Sequence, residues 1–284
     1  MRIQLLSDLH FEWVPRAGSP ARPAPHAGSA SPAAPDLLAA QSFTPQPAPG
    51  ADLLVLAGDI DSTWRGYERF AGWPVPVVVV AGNHEFDGRD LDQAWPALAA
   101  HCAALGLSLV ERATWRWRAP DGTRLRLLAT VRWSDFDVFG AAGRPRAMRA
   151  AGYYARLMRA RRGEAPFDAA AVREEALACR DWLAQALAEP APAGERTVVV
   201  THYAPSLHSL DPRYGRQPTT ASFCNADEAL MPGVDLWLHG HVHRRHDYRI
   251  AHADGRSTRV VAHPRGIAAK GECAGYDALR VIEV

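Results

Sequence analysis

Val77-Val78-Val79-Val80-Ala81-Gly82-Asn83-His84-Glu85 is the most informative stretch of this 284-residue chain. Four valines and an alanine, stopped by glycine, are too short for a helix. They lack the alternation of a half-exposed strand, so they read as a strand buried on both faces. The strand runs into a glycine that permits a sharp turn, and then into an amide, an imidazole and a carboxylate. Those are donors for chemistry, placed where a buried strand releases its chain.

The same grammar recurs outward from this point. The run 3–6 (IQLL) ends in Ser7-Asp8-Leu9-His10, and the run 53–57 (LLVLA) in Gly58-Asp59. The run 197–201 (TVVVT) ends in His202, and the run 235–238 (DLWL) in His239-Gly240-His241-Val242-His243. A further run, 125–129 (LRLLA), carries no such ending. In open α/β sheets ligands bind beyond the carboxyl ends of the strands, so five polar endings predict one crest rather than scattered turns. His239 precedes the turn glycine and is read as the end of its strand.

Two stretches have helical spacing. Leu91, Trp95, Leu98, Cys102 and Leu105 recur every three or four residues before Gly106, and Val172, Ala176, Leu183 and Leu187 do so after a capping Asp168. Both stripes read as core packing. Runs at 258–262 and 278–284 predict antiparallel strands that finish a sheet. Residues 15–49 hold nine prolines and ten alanines with few large apolar side chains, and are expected to form an inserted loop within a single domain spanning 1–284. Residues 134–195 are expected to be a helical, cap-like part of that domain. Between Asp137 and Glu164 that part has seven arginines and no acid. A solvated helical face accounts for this, and the sharper reading is that Arg159 and Arg162 meet an anionic substrate.

Composition sets outer bounds. Apolar residues make up 48% and charged residues 22%, as in an ordinary globular protein. The formal charge of +1 supplies no field for nucleic acid or acidic membrane, so neither an obligate nucleic-acid partner nor a membrane partner is expected. No apolar run is long enough to span a bilayer, and the N-terminus lacks a secretory pattern, so the expected location is cytoplasmic. Cys102, Cys179, Cys224 and Cys273 are widely spaced, which predicts reduced thiols.

The donors at the five endings are carboxylates, an amide and imidazoles without thiolate. Such a set suits Mn, Fe or Zn and is poor for copper(I) or iron–sulfur clusters. It has too many members for one tetrahedral ion, whereas two ions about 3.5–4 Å apart would use them all.

These five pieces, D-x-H at 8–10, G-D at 58–59, G-N-H-E at 82–85, a lone His202 and G-H-x-H at 240–243, resemble the calcineurin-like metallophosphoesterase superfamily. The resemblance implies an α/β fold, a four-layer α/β/β/α sandwich of two mixed sheets flanked by helices. It implies that Asp8, His10 and His243 hold a first ion, that Asn83, His202 and His241 hold a second, and that Asp59 bridges them. It implies hydrolysis of a phosphate ester by a hydroxide shared between the ions, with His84 as a general acid that binds no metal. A small phosphate ester, a nucleotide among the options, is the expected substrate. A phosphodiester is favoured over a monoester, with phosphomonoesterase or protein phosphatase activity as the alternative. A non-catalytic metal-binding scaffold is the reading from another class, and the intact donor set argues against it. His208 and Arg265, close to the motifs, are candidate substrate contacts. The chain departs from the resembled pattern at Tyr203, where a second histidine is commoner, and at His263, where asparagine is.

Overall fold

The computed structural model describes residues 1–13 and 43–284. Most of the Pro/Ala-rich stretch, residues 15–42, lies outside the described residues.

Each apolar run quoted above forms a strand. The first sheet contains β1 (Arg2–Leu6), β2 (Leu53–Ala57), β3 (Val77–Val80), β4 (Ser108–Leu109) and β13 (Val281–Glu283), in the order β13-β1-β2-β3-β4. The second contains β5 (Ala113–Arg118), β6 (Arg124–Thr130), β9 (Glu195–Thr201), β10 (Leu236–His239), β11 (His246–Ala251) and β12 (Ser257–Ala262), in the order β11-β12-β10-β9-β6-β5. β1, β2, β3 and β4 are mutually parallel, as are β6, β9, β10 and β12, and antiparallel strands close the edges of both sheets except at β4.

Strand side chains alternate between faces, and in the central strands, such as β2 and β3, both faces are buried. Ile3, Leu5, Leu53, Val55, Val78 and Val80 of the first sheet pack against Leu127, Val198, Val200 and Leu238 of the second, forming the layer between the sheets. The alternate residues Leu54, Leu56 and Val79 meet Leu91, Leu98 and Cys102 of helix α1 (Leu91–Ala104). Leu128, Val199 and Trp237 meet Leu183 of helix α3 (Ala169–Ala188). Helix, sheet, sheet and helix are therefore stacked in four layers. The continuous valine and leucine runs are what sheets covered on both sides require.

The helices begin where the sequence places them. The Asp90 carboxylate accepts from the amides of Asp92 and Gln93, and that of Asp168 from Ala170 and Ala171, which satisfies donors that the first turn leaves open. The segment 134–195 supplies α2 (Gly140–Met158), a two-strand hairpin of β7 (Arg161–Arg162) and β8 (Ala165–Pro166), and α3. The Gly163 amide donates to Asp90 at 2.6 Å, tying the hairpin to the start of α1. No helix among the described residues is long and apolar enough to cross a membrane.

Candidate metal centre

Parallel strands in both sheets release their chains at one edge, and the polar endings meet there. Asp8 and His10 follow β1, Asp59 follows β2, Asn83 and His84 follow β3, His202 follows β9, and His241 and His243 follow β10. Backbone bonds stitch these loops together: Asp8 N–H donates to Gly58 O at 2.9 Å, His10 N–H to Asp59 O at 3.1 Å and Gly240 N–H to His202 O at 3.0 Å.

The loops are tightly wound. Asp8, His10, Asp59, His241 and His243 all have positive φ, between 48° and 69°, a region that costs a non-glycine residue about 1 kcal/mol or more. Such outliers persist only where surrounding contacts over-determine them, and here five fall on five candidate ligands. Gly82 and Gly240 are needed for close approach. A Cβ on Gly82 would stand 2.2 Å from Asp59 Oδ1, and one on Gly240 would stand 2.6 Å from Asp8 Oδ2.

The donor atoms form two groups that share Asp59. Asp8, His10, Asp59 and His243 each offer one atom, all within 4.8 Å of one another, and so do Asp59, His202 and His241. Asn83 joins the second group, its Oδ1 lying 3.2 Å from His202 Nε2. The Nε2 atoms of His10 and His243 face each other at 3.1 Å.

Every imidazole in the two groups is held from behind. His10 Nδ1 lies 2.8 Å from Glu12 Oε1, His243 Nδ1 2.7 Å from Glu272 Oε2, and His202 Nδ1 2.9 Å from Ala57 O. His241 reverses its ring, with Nε2 3.0 Å from Ser222 O, which leaves Nδ1 toward the site. Each outer nitrogen faces an acceptor and so carries the proton, leaving the inner lone pair for a ligand. Two carboxylates, one amide oxygen and four inward lone pairs fit a pair of borderline divalent cations.

Electrostatics agree. Burial raises the Asp59 pKa, but nearby His202 and His84 outweigh it and hold the carboxyl well below its ordinary range. Against their own burial, His243 is raised to about 10 by Asp8 and Glu272, and His202 to about 9 by Asp59. Burial takes His241 down to about 3. A site that draws positive charge onto its imidazoles in this way favours cations, and protons and metal ions compete for the same lone pairs.

Glu85 braces the crest from below. Its carboxylate accepts from the amides of Asp59 (3.0 Å), Ile60 (2.8 Å) and Gly82 (2.7 Å) and from the Tyr67 hydroxyl (3.0 Å), so one buried side chain sets the shape of two ligand loops. Burial and the Asp59 charge push it up to about 7. His84 stands beside the first group, its ring 5.1 Å from that of His10, and its backbone N–H donates to Asp59 Oδ1 at 2.9 Å. Its Nδ1 lies 2.8 Å from Asp87 Oδ2, and its side chain is 35% exposed, against 17% for His243 and 1% or less for Asp8, His10, Asp59 and His202.

The remaining candidates are placed differently. Arg265 is buried: its backbone N–H donates to Ser7 O, its guanidinium donates to Leu9 O at 3.3 Å, and it lies over the Phe43 ring. Arg162 commits its guanidinium to Glu175 at 2.5 Å and lies 3.6 Å from Asp92. Arg159 is an exposed residue at the C-cap of α2 with φ of 52°. His208 is exposed, its ring 5.7 Å from that of Tyr248. His239 closes β10, buried with Nε2 2.8 Å from Ser209 Oγ. Tyr203, at one of the departures from the resembled pattern, lays its ring 4.0 Å from that of His241.

The supports Glu12, Asp87 and Glu272 were not anticipated. Glu12 and Asp87 lie two and three residues from the histidines they hold, a spacing that could have flagged them, whereas nothing near Glu272 in the sequence points to His243.

Two sheets that converge on paired, carboxylate-linked donor groups define a dinuclear metallohydrolase. The chain belongs to the calcineurin-like phosphoesterase family, whose model matches residues 1–245. It is a metallophosphoesterase, a hydrolase of phosphate ester bonds. Among solved structures it is similar to the phosphopantetheinyl hydrolase of Mycobacterium tuberculosis, with a TM-score of 0.68 and 16% identity over 99% of this chain and 95% of that one. At that identity the likeness concerns the fold alone. No curated protein matches the chain.

Proposed function

We propose that the chain hydrolyses a small phosphodiester at a two-cation centre, with Asp8, His10, Asp59 and His243 around one cation and Asp59, Asn83, His202 and His241 around the other. The observation that carries this reading is the inward turn of all four imidazoles, each fixed by an acceptor behind it. When bound, such cations polarise phosphoryl oxygens and bring the pKa of a water near neutrality, with Mn, Fe or Zn matching the donors.

The side chains of the protein do the rest. Asp59 ties the two halves of the centre and, through Oδ1, fixes the backbone of His84. His84, steadied by Asp87, donates a proton from Nε2 to the oxygen that leaves as its bond to phosphorus breaks, and recovers one from water. Against partial desolvation, the Asp59 charge and the bond to Asp87 raise His84 to about 10, which supports the imidazolium form that this role needs.

Charge supports a diester. Arg162 is committed to Glu175, and Arg265 is buried against Leu9 and Phe43, so two candidate cations are not aimed outward. A singly charged diester asks less of the protein for neutralisation than a dianionic monoester does. The test is metal analysis with turnover of matched aryl phosphomonoester and phosphodiester substrates after Mn, Fe or Zn reconstitution. A large ratio in favour of the diester is expected. A ratio in favour of the monoester reverses the ester class, and no metal with no turnover leaves only a scaffold.

A further inference from the structure

Helix α2 carries two kinds of arginine. Arg144 pairs with Asp137, which also pairs with Arg173 of α3, so it faces the body of the chain. Arg146, Arg149 and Arg156 are exposed and, among the described residues, form no ion pair. At about 100° per residue these three and Leu157 fall within about 100° of one another, away from the buried Ala147, Ala151 and Met158. Leu157, beside Arg156, is 50% exposed. Tyr153 lies on the same flank but is already engaged, its ring edge-on to that of Tyr154.

The single sign of its charges sets this flank apart from an ordinary solvated face. A solvated helix usually mixes acids and bases at three- and four-residue spacing, whereas no Asp or Glu occurs between Asp137 and Glu164. Arg146 and Arg149 are three residues apart, close enough to repel. An anionic partner relieves that repulsion, and a guanidinium meets a carboxylate through two parallel hydrogen bonds.

We propose that this flank docks an acidic segment of a partner protein, with carboxylates on Arg146, Arg149 and Arg156 and an apolar side chain on Leu157. The class of partner follows from the composition of the flank. A nucleic acid is gathered by a broad positive field, and the whole chain carries a formal charge of only +1. A membrane-surface helix needs a wide apolar face, which a single leucine beside three arginines does not make. Leu157 gains nothing against phosphates, while protein interfaces combine charged pairs with apolar contacts. From Arg146 to Arg156 the stripe runs about 15 Å, or two to three turns of a partner helix.

The test is fluorescence anisotropy with the full chain and a fluorescein-labelled helical peptide of Glu, Leu and Ala. The comparison probes are the same peptide with Gln for Glu, a single-stranded DNA oligonucleotide of equal charge, and phosphatidylglycerol vesicles. The Glu peptide is expected to bind most tightly of the four, and to weaken as salt rises. Arg146→Glu/Arg149→Glu/Arg156→Glu, with native-like circular dichroism, is expected to weaken it by about tenfold or more, the order for three exposed ion pairs. Leu157→Ser is expected to weaken it severalfold and to leave oligonucleotide binding as it was. A native chain that binds the Glu and Gln peptides alike, or that prefers the oligonucleotide or the vesicles, overturns the proposal. So does a triple variant that keeps native affinity for the Glu peptide.

Discussion

Glu272 grips His243 from the far side of the ring, with Oε2 2.7 Å from Nδ1. The same oxygen accepts from the Ile267 amide at 2.8 Å, so the carboxylate is itself fixed. It belongs to a segment beyond residue 245, where the match to the family model ends, and this segment also donates from Gly266 N–H to Asp8 O at 3.0 Å. The C-terminal residues of the chain thus complete a centre whose donors all lie earlier.

Glu272→Ala is expected to weaken binding at the first cation position by about 10–100-fold, the usual cost of losing such an outer partner. Glu272→Gln should fall between, because its amide oxygen still accepts from Nδ1–H. Metal titration of the three proteins measures this, and identical affinities would mean that Glu272 only packs.

Asp59→Asn is expected to fold and to lose nearly all hydrolysis, since Asp59 is the donor common to both groups. Metal content should fall below two ions per chain. Normal turnover with two ions retained would contradict its shared role.

His84→Ala is expected to keep its metals and to lose activity by about 10²–10⁴-fold on esters with an alkyl leaving group. On p-nitrophenyl esters the loss should be much smaller, because that leaving group needs no proton. Equal losses on both would remove His84 from the proton transfer.

Gly82→Ala is expected to strip the centre while preserving the fold. The new Cβ would stand 2.2 Å from Asp59 Oδ1 and 2.5 Å from Asp59 N, so the Asp59 loop must move. Metal content should collapse with native-like circular dichroism, and the melting temperature should drop by several degrees, at about 2–4 °C per kcal/mol for a chain of this size. A variant that binds two ions normally would show that the loop tolerates the displacement.

Away from the centre, burial raises Glu111 to about 7 against the opposing bonds from Val131 and Thr130. A carboxyl with a raised folded pKa contributes stability that is fully present below its ordinary value near 4.5 and is lost as pH rises through 7. Between pH 5 and pH 8 the native chain should lose about 2 kcal/mol more than Glu111→Gln, less than the full shift would give because the side chain is 13% exposed. Parallel losses in urea unfolding at the two pH values would remove Glu111 as the cause.

The strands, the two capped helices and the candidate donors of the centre are legible in the sequence because each depends on near neighbours. A valine run stops at Gly82, Asp168 caps the residues that follow it, and donors come directly after strand ends. The helical character of residues 140–158 is less legible, since Gly140, Gly143, Pro145 and Gly152 blur its spacing, and the short β4 and the β7–β8 hairpin leave almost no pattern. Tertiary structure alone decided which face of each strand met the other sheet, which nitrogen of each histidine turned inward, and that Glu272 rather than a nearer acid would hold His243. It also buried Arg265 and tied Arg162 to Glu175, although both lie near motif residues or in a basic run. The physical reason is range: propensity, capping and turn chemistry act over a few residues, whereas the orientation of an imidazole depends on an acceptor that may lie across the molecule and is brought there only by the register of two packed sheets.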